Sequence, residues 1–201
     1  INTVWSLSGG DGRRFMLSPA VRSDRMEEKR TEKRMAKRFP IFLDIADREI
    51  HVYGAGRIAS RRVETLTAFS PRLTVHAPRA SAPIQKAALD GTLCWKKEPY
   101  RQGSIPADAF MVLAATDDPG VNGRICRECR EKGILVNVCS DQEQCDFHFP
   151  GIALRGELVI GVNAGGRDHR LAKKWTDKIR KEVEEDGYDD QAEKASDYGK
   201  A

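Results

Sequence analysis

No segment of the 201-residue chain is apolar over the roughly 20 residues that a membrane-spanning helix needs, and no apolar core of a secretory signal is present. Membrane insertion and export are therefore not expected. Cysteine is scarce and odd in number, five in all, which argues for free thiols in a reducing cytoplasm rather than a disulfide framework. Cys126 and Cys129 share a Cys-x-x-Cys spacing, but no second pair accompanies them at zinc-finger spacing, and both fall inside a predicted helix. They read as buried thiols, and no metal ligands are assigned. A charge of one sign is missing too: residues 1–38 hold ten Lys/Arg against five Asp/Glu, and the remainder holds 24 against 25. The formal net charge of +4 comes from the leader, and the near-neutral globular part offers no electrostatic footprint for nucleic acid. The length leaves room for one ordinary domain plus an appendage.

What is present is organised around Glu49-Ile50-His51-Val52-Tyr53-Gly54-Ala55-Gly56-Arg57-Ile58-Ala59-Ser60-Arg61-Arg62. The order is strand, glycine turn, helix. Ile50, Val52 and Tyr53 suit a buried strand, Gly54 permits the tight turn, Gly56 lets backbone approach a ligand, and Ala59 sits where helix packs closely on sheet. A pyrophosphate is expected on the helix N-terminus, where free N–H groups and the positive end of the helix dipole favour an anion.

Ahead of this stretch, residues 1–38 carry Gly9-Gly10, Pro19 and a run of alternating charge from Arg25 to Arg34, and read as a disordered leader or an extended start with Met35 as a candidate first residue. Phe39 to Ile45 is a short apolar segment. After the turn, Ile58, Val63, Leu66 and Phe69 recur at helical spacing until Ser70-Pro71. Strands are expected over Leu73–Ala77, Thr92–Lys96, Phe110–Thr116 and Ile134–Val138, with helices over Pro83–Leu89 and from Asp118-Pro119 to Gly133. Such alternation predicts an α/β fold, a Rossmann-like doubly wound parallel sheet, spanning 39–146 as a dinucleotide-binding domain. From Phe147 the pattern changes to two strands joined around Arg155-Gly156-Glu157, then Gly165-Gly166 and an amphipathic helix. Residues 147–187 thus form a small β-hairpin region with a C-terminal helix, and 188–201 an acidic frayed tail. A hairpin cannot bury both of its faces alone, so a homodimer is expected.

Several separated motifs fall into one order: Pro40-Ile41-Phe42-Leu43-Asp44, the glycine turn, Leu73-Thr74-Val75-His76-Ala77-Pro78, Ala114-Ala115-Thr116-Asp117-Asp118, Val136-Asn137-Val138, Cys145-Asp146-Phe147-His148-Phe149-Pro150, and Gly165-Gly166 with Leu171-Ala172. Together they resemble the dehydrogenase/ferrochelatase family of siroheme synthesis. The resemblance implies oxidation of precorrin-2 to sirohydrochlorin with NAD, in some members also insertion of ferrous iron as a substrate, and dimers formed through a middle domain. In that family the strand of Val136-Asn137-Val138 runs into an acid/base aspartate two positions beyond the valine. Here that position is Ser140, and Asp141 follows. The family's serine before the paired glycines aligns with Ala164, after Asn163, and its helical third domain is represented by little more than one helix. These departures keep a second reading in view, a non-catalytic dinucleotide- or tetrapyrrole-binding module of the same fold.

The candidate site follows from where ligands of such sheets lie, beyond the carboxyl ends of the strands. Cofactor contacts are expected from Gly54, Ala55, Gly56, Arg57, Ile58, His76, Ala77, Pro78, Thr116, Asp117, Asn137 and Val138. Asp141 is the candidate base, with Ser140 beside it; a turn or cap aspartate is the competing role at such a position. No carboxylate follows the second strand to hold a ribose 2′-hydroxyl, and Arg79 could instead meet a 2′-phosphate, so NADP stands as the alternative to NAD. The macrocycle carries many carboxylates, and substrate contacts are expected from Asn163, Ala164, Gly165, Gly166, Arg167 and Lys173.

Overall fold

The computed structural model describes residues 38–166 and 168–185. The leader, Arg167 and the acidic tail therefore lie outside the described residues. Strand β1 (Glu49–Tyr53) is buried through its last four residues, and the other strands of its sheet all run parallel to it. They are β2 (Arg72–His76), β3 (Cys94–Lys96), β4 (Met111–Ala114) and β5 (Leu135–Val138), in the order β3-β2-β1-β4-β5. Helices α1 (Arg57–Thr67), α2 (Ala82–Leu89) and α3 (Pro119–Lys132) are the crossovers. Chain order runs outward from β1 in both directions, so the two halves part between β1 and β4, which is where a crevice opens in a doubly wound sheet.

Local chemistry accounts for the boundaries. The continuous apolar run of β4 is buried at all four residues, as a strand covered on both faces must be. Asp118 caps α3 by accepting from Gly120 N at 2.7 Å and Val121 N at 3.2 Å, and Gly133 ends that helix in the left-handed conformation at φ +68°. Helix α1 buries Ala59, Val63 and Leu66 against the sheet. Ile58, expected on that face, is 51 % exposed instead, because the packing stripe begins at Ala59, one residue or about 100° further round. The apolar segment before β1 lies mostly at the surface: Phe39 is 86 % and Phe42 74 % exposed, and the first buried side chain among the described residues is Ile45.

The face of the sheet under α3 carries polar groups. His51 Nδ1 lies 3.0 Å from His76 Nε2, the His76 ring stacks on Tyr53 at 4.5 Å between centroids, and His76 Nδ1 is 3.5 Å from a Glu98 carboxylate oxygen. Burial lowers the pKa of both imidazoles, and for His76 the neighbouring His51 and Lys96 add to it, taking it from 6.5 to about 4. A hydrogen bond between neutral rings needs one donor and one acceptor nitrogen, which this state supplies. Folded pKa values below the unfolded value mean stability that is present above pH 6.5 and is lost as pH falls towards 4. The thermal midpoint is expected to drop over that interval, and His76→Leu to flatten the drop; an unchanged slope in the variant would contradict this origin.

The second sheet is an antiparallel pair, β6 (Gly151–Arg155) and β7 (Leu158–Val162), against which α4 (His169–Glu185) packs. Thr176 of α4 sits so close to Gly151 that a Cβ there would lie 2.1 Å from its hydroxyl oxygen, and Arg180 Nε donates to the Ile152 carbonyl at 2.9 Å. Strand alternation therefore puts Ala153 under α4 and leaves Ile152, Leu154 and Val159 on the other face, with Leu154 45 % exposed. No helix among the described residues is long and apolar enough to cross a membrane.

Candidate active site

Register brings the strand ends into one row. Tyr53 pairs with His76 on one side and with Ala114 on the other, and Ala114 pairs with Val138. The loops that follow these four residues share one rim.

The glycine turn divides two tasks. Gly54 has φ +104°, and a Cβ there would lie 2.2 Å from the Ala115 carbonyl oxygen, so the turn is pressed against the loop after β4. Gly56 is the N-cap of α1, with φ −82° and no side-chain cap, and a Cβ there would meet nothing within 4 Å. Gly56, Arg57 and Ile58 are exposed. The first N–H groups of α1 thus face open space without an internal partner, and a dinucleotide pyrophosphate fits such an end by hydrogen bonds and by the helix dipole. The turn is braced from behind: Gly54 N donates to the His76 carbonyl at 2.9 Å, Ser81 N to the Ala55 carbonyl at 3.1 Å, and the Ser60 and Ser81 hydroxyls lie 2.7 Å apart. At the end of β2, Ala77 is buried while Pro78 and Arg79 are exposed, and no carboxylate stands in that loop.

On the other side of the crevice, Asn122 is wholly buried beneath the loops after β4 and β5. Its Oδ1 accepts from Thr116 N at 3.1 Å and from the Thr116 hydroxyl at 2.7 Å, and its Nδ2 donates to the Thr116 carbonyl and to Ser140 Oγ, each at 3.1 Å. Asp117 and Ser140 are exposed at the rim. Asp141 caps a short 3₁₀ turn (Gln142–Gln144), accepting from Gln144 Nε2 and Glu143 N, both at 2.9 Å. Those two bonds, the Gln144 side chain first, hold its carboxyl below the ordinary carboxylate range. Asn137 is spent elsewhere: it is buried, accepts from Arg62, and donates to the Phe147 carbonyl at 2.7 Å. It ties β5 to α1 and to the crossover into the second sheet. Val138 is buried in the core under α3.

The hairpin end reaches the same rim. A Cβ on Gly166 would lie 2.2 Å from Gln142 Oε1 and 3.2 Å from the His148 ring, so the Gly165-Gly166 turn rests against the segment that follows Asp141. Asn163 accepts from Gly165 N at 2.7 Å and shapes that turn, while Ala164 is half-buried beside it. Lys173 is paired with Asp177 on an exposed helix face, and Arg167 is outside the described residues. All five cysteines are free, and burial pushes the Cys126 and Cys129 thiols up, the latter to about 12. No group of three or more metal-ligating side chains occurs among the described residues. Sequence reasoning passed over Asn122, Ser60, Ser81 and Gln142. Asn122 did carry a signal, being a poor helix former in the first turns of a capped helix.

A family model described as "Putative NAD(P)-binding" matches residues 41–151. Among known proteins, the "Probable multifunctional siroheme biosynthesis protein HemA" of Ruminiclostridium josui is 34% identical over 145 residues, covering 72% of this chain and 28% of that protein. The siroheme synthase of Nitrosospira multiformis is 37% identical over 138 residues, covering 67% of this chain and 29% of that enzyme. The chain thus spans less than a third of the length of these relatives. A solved structure, "SirC, precorrin-2 dehydrogenase", shares the fold with a TM-score of 0.65 at 24% identity, over 80% of this chain and 76% of its own. Open helix terminus, glycine turn and matched relatives agree, and the chain belongs to the NAD(P)-binding family of the siroheme synthase N-terminal region.

Proposed function

We propose that the chain oxidises precorrin-2 to sirohydrochlorin with NAD in siroheme biosynthesis. The observation that carries this reading is the uncapped N-terminus of α1 at Gly56, on the same rim as Thr116, Ser140 and the Gly165-Gly166 turn. Relatives that make siroheme, and a structural neighbour named for this dehydrogenation, supply the substrate class. A bound nicotinamide would supply the hydride acceptor. The chain's own part is positional: α1 would hold the pyrophosphate, the loops after β4 and β5 would flank the nicotinamide half, and the hairpin turn would receive an acidic macrocycle.

Loss of two hydrogens from the macrocycle, one of them the hydride that a bound nicotinamide would take, leaves a proton for the protein to accept. Asp141 is the carboxylate next to Ser140, and its hydrogen bonds favour the ionised form that can accept a proton, at the cost of lower basicity. Asp141→Asn is expected to lower turnover about tenfold, below the usual range for a strong general base, with dinucleotide affinity within about twofold of wild type. Full turnover in the variant would assign Asp141 to capping alone.

NAD is the preferred cofactor of this reading; exposed Arg79 makes NADP the comparison to titrate. Ferrous iron enters only as a substrate of a chelation step, to be tested by adding it to sirohydrochlorin. The uncovered hairpin face with Leu154 supports a homodimer, and the free thiols suit the cytoplasm. Incubating the protein with precorrin-2 and either dinucleotide, while following sirohydrochlorin absorbance, tests the whole proposal. A pure binding module would retain the dinucleotide and give no sirohydrochlorin.

A further inference from the structure

We propose that Asn122 is a positioning residue which orients the Ser140 hydroxyl, so that Ser140 has its proton free to donate to an oxygen acceptor on the bound ligand. This rests on the proposed dehydrogenase reading for the ligand's identity, but not for the hydrogen-bond logic.

The orientation of the Asn122 amide follows from its neighbours. A backbone N–H can only donate, so the Asn122 atom 3.1 Å from Thr116 N must be the carbonyl oxygen. The amide nitrogen then faces two acceptors, the Thr116 carbonyl at 3.1 Å and Ser140 Oγ at 3.1 Å. The reversed amide would set an N–H against an N–H and a carbonyl against a carbonyl. Ser140 Oγ is therefore held as an acceptor on its inner side. Its single proton has no other partner among the described residues, and the side chain is exposed at the rim. A serine hydroxyl whose inner lone pair receives a hydrogen bond is polarised to give its proton outward. Total burial of Asn122 leaves the amide no solvent to exchange with, and its four hydrogen bonds hold the loops after β4 and β5 in one arrangement.

Two ligand groups offer the matching acceptor, the carbonyl oxygen of the nicotinamide carboxamide and a carboxylate of the macrocycle.

The test is a double-mutant cycle with two readings: NADH affinity by fluorescence, and, in turnover with NAD as the hydride acceptor, the KM for precorrin-2 and kcat separately. Ser140→Ala alone is expected to weaken one ligand about five- to tenfold, the size of one hydrogen bond. Loss of NADH affinity identifies the carboxamide; a higher KM for precorrin-2 with NADH affinity unchanged identifies the carboxylate. In an Asn122→Ala background, adding Ser140→Ala is expected to cost less than about twofold, since the hydroxyl is no longer aimed. Where circular dichroism shows Asn122→Ala to be unfolded, Asn122→Ser serves, keeping a polar group near Thr116 with a shorter reach. An equal loss from Ser140→Ala in both backgrounds, or no loss in either ligand, overturns the proposal. Absence of sirohydrochlorin with wild-type protein would reject the dehydrogenase reading, while the NADH arm would still decide the role of Asn122.

Discussion

Gly54→Ala is expected to cost about 2–4 kcal/mol of folding stability, whereas Gly56→Ala leaves folding unchanged and weakens dinucleotide binding about tenfold or more. The two glycines are one residue apart, and the contrast is set by what surrounds them. At Gly54 the backbone is at φ +104°, and a methyl group would lie 2.2 Å from the Ala115 carbonyl oxygen and 2.8 Å from Thr116 N, both main-chain atoms with no room to withdraw. Strain and overpacking then add. At Gly56 the conformation suits any residue, with φ −82°, and a Cβ would meet nothing within 4 Å. The methyl group would occupy the space through which a pyrophosphate approaches the N–H groups of α1. Urea denaturation and NADH titration of the two variants check the split. Equal stability losses, or unimpaired binding in Gly56→Ala, would remove the assignment of the turn as the cofactor cradle.

Glu128→Ala is expected to be the most damaging core substitution, at about 3–5 kcal/mol, because it strands several donors at once. Glu128 is 5% exposed, and its carboxylate accepts from the Tyr100 hydroxyl at 2.7 Å, Gly103 N at 2.9 Å, Ile105 N at 3.0 Å and Lys132 Nζ at 2.7 Å. One side chain on α3 thereby holds the irregular segment between β3 and β4. Burial alone would raise its pKa, but the hydrogen bonds from Lys132, Tyr100, Gly103 and Ile105 outweigh it and the net shift is downward from 4.5. A depressed carboxylate contributes stability that is present above the unfolded pKa and is lost as pH falls through the folded one. The acid limb of the stability curve should accordingly be shallower below pH 4.5 in Glu128→Gln than in wild type. A loss under about 1 kcal/mol for Glu128→Ala, measured by urea unfolding, would show that the segment is held by other contacts.

The parts of this architecture that depend on neighbours in sequence were legible without coordinates. The strand before Gly54, the apolar run of β4, the Asp118 cap and the Gly133 stop are local, and each appears at its expected place. Helical phase was less readable: the spacing put Ile58 with Val63 and Leu66, but the stripe of α1 is set by Ala59 against the sheet, and Ile58 turns outward to the cradle. Apolar composition alone does not place a side chain inside, as Phe39, Ile41, Phe42 and Leu43 show by being exposed. The polar network was hidden for a different reason. His51 and His76 meet only because β1 and β2 pair in one register, and Asn122 reaches Ser140 only because α3 returns beneath two loop ends. Such contacts join residues 18 or 25 positions apart, and no periodicity records them. Asn137 illustrates the same limit, since its strand-end position suggested a cofactor contact while its side chain is engaged by Arg62 and Phe147.

Hydride transfer has a fixed stoichiometry, and counting it tests the central claim most directly. Purified protein is mixed with precorrin-2 and excess NAD, and sirohydrochlorin and NADH are followed together at their separate absorbances. One NADH is expected per sirohydrochlorin formed, with both signals falling in the same proportion in Gly56→Ala when NAD is subsaturating. Sirohydrochlorin appearing without NADH, or NADH bound tightly with no sirohydrochlorin formed, would contradict the assignment of this site as a dinucleotide-dependent dehydrogenase.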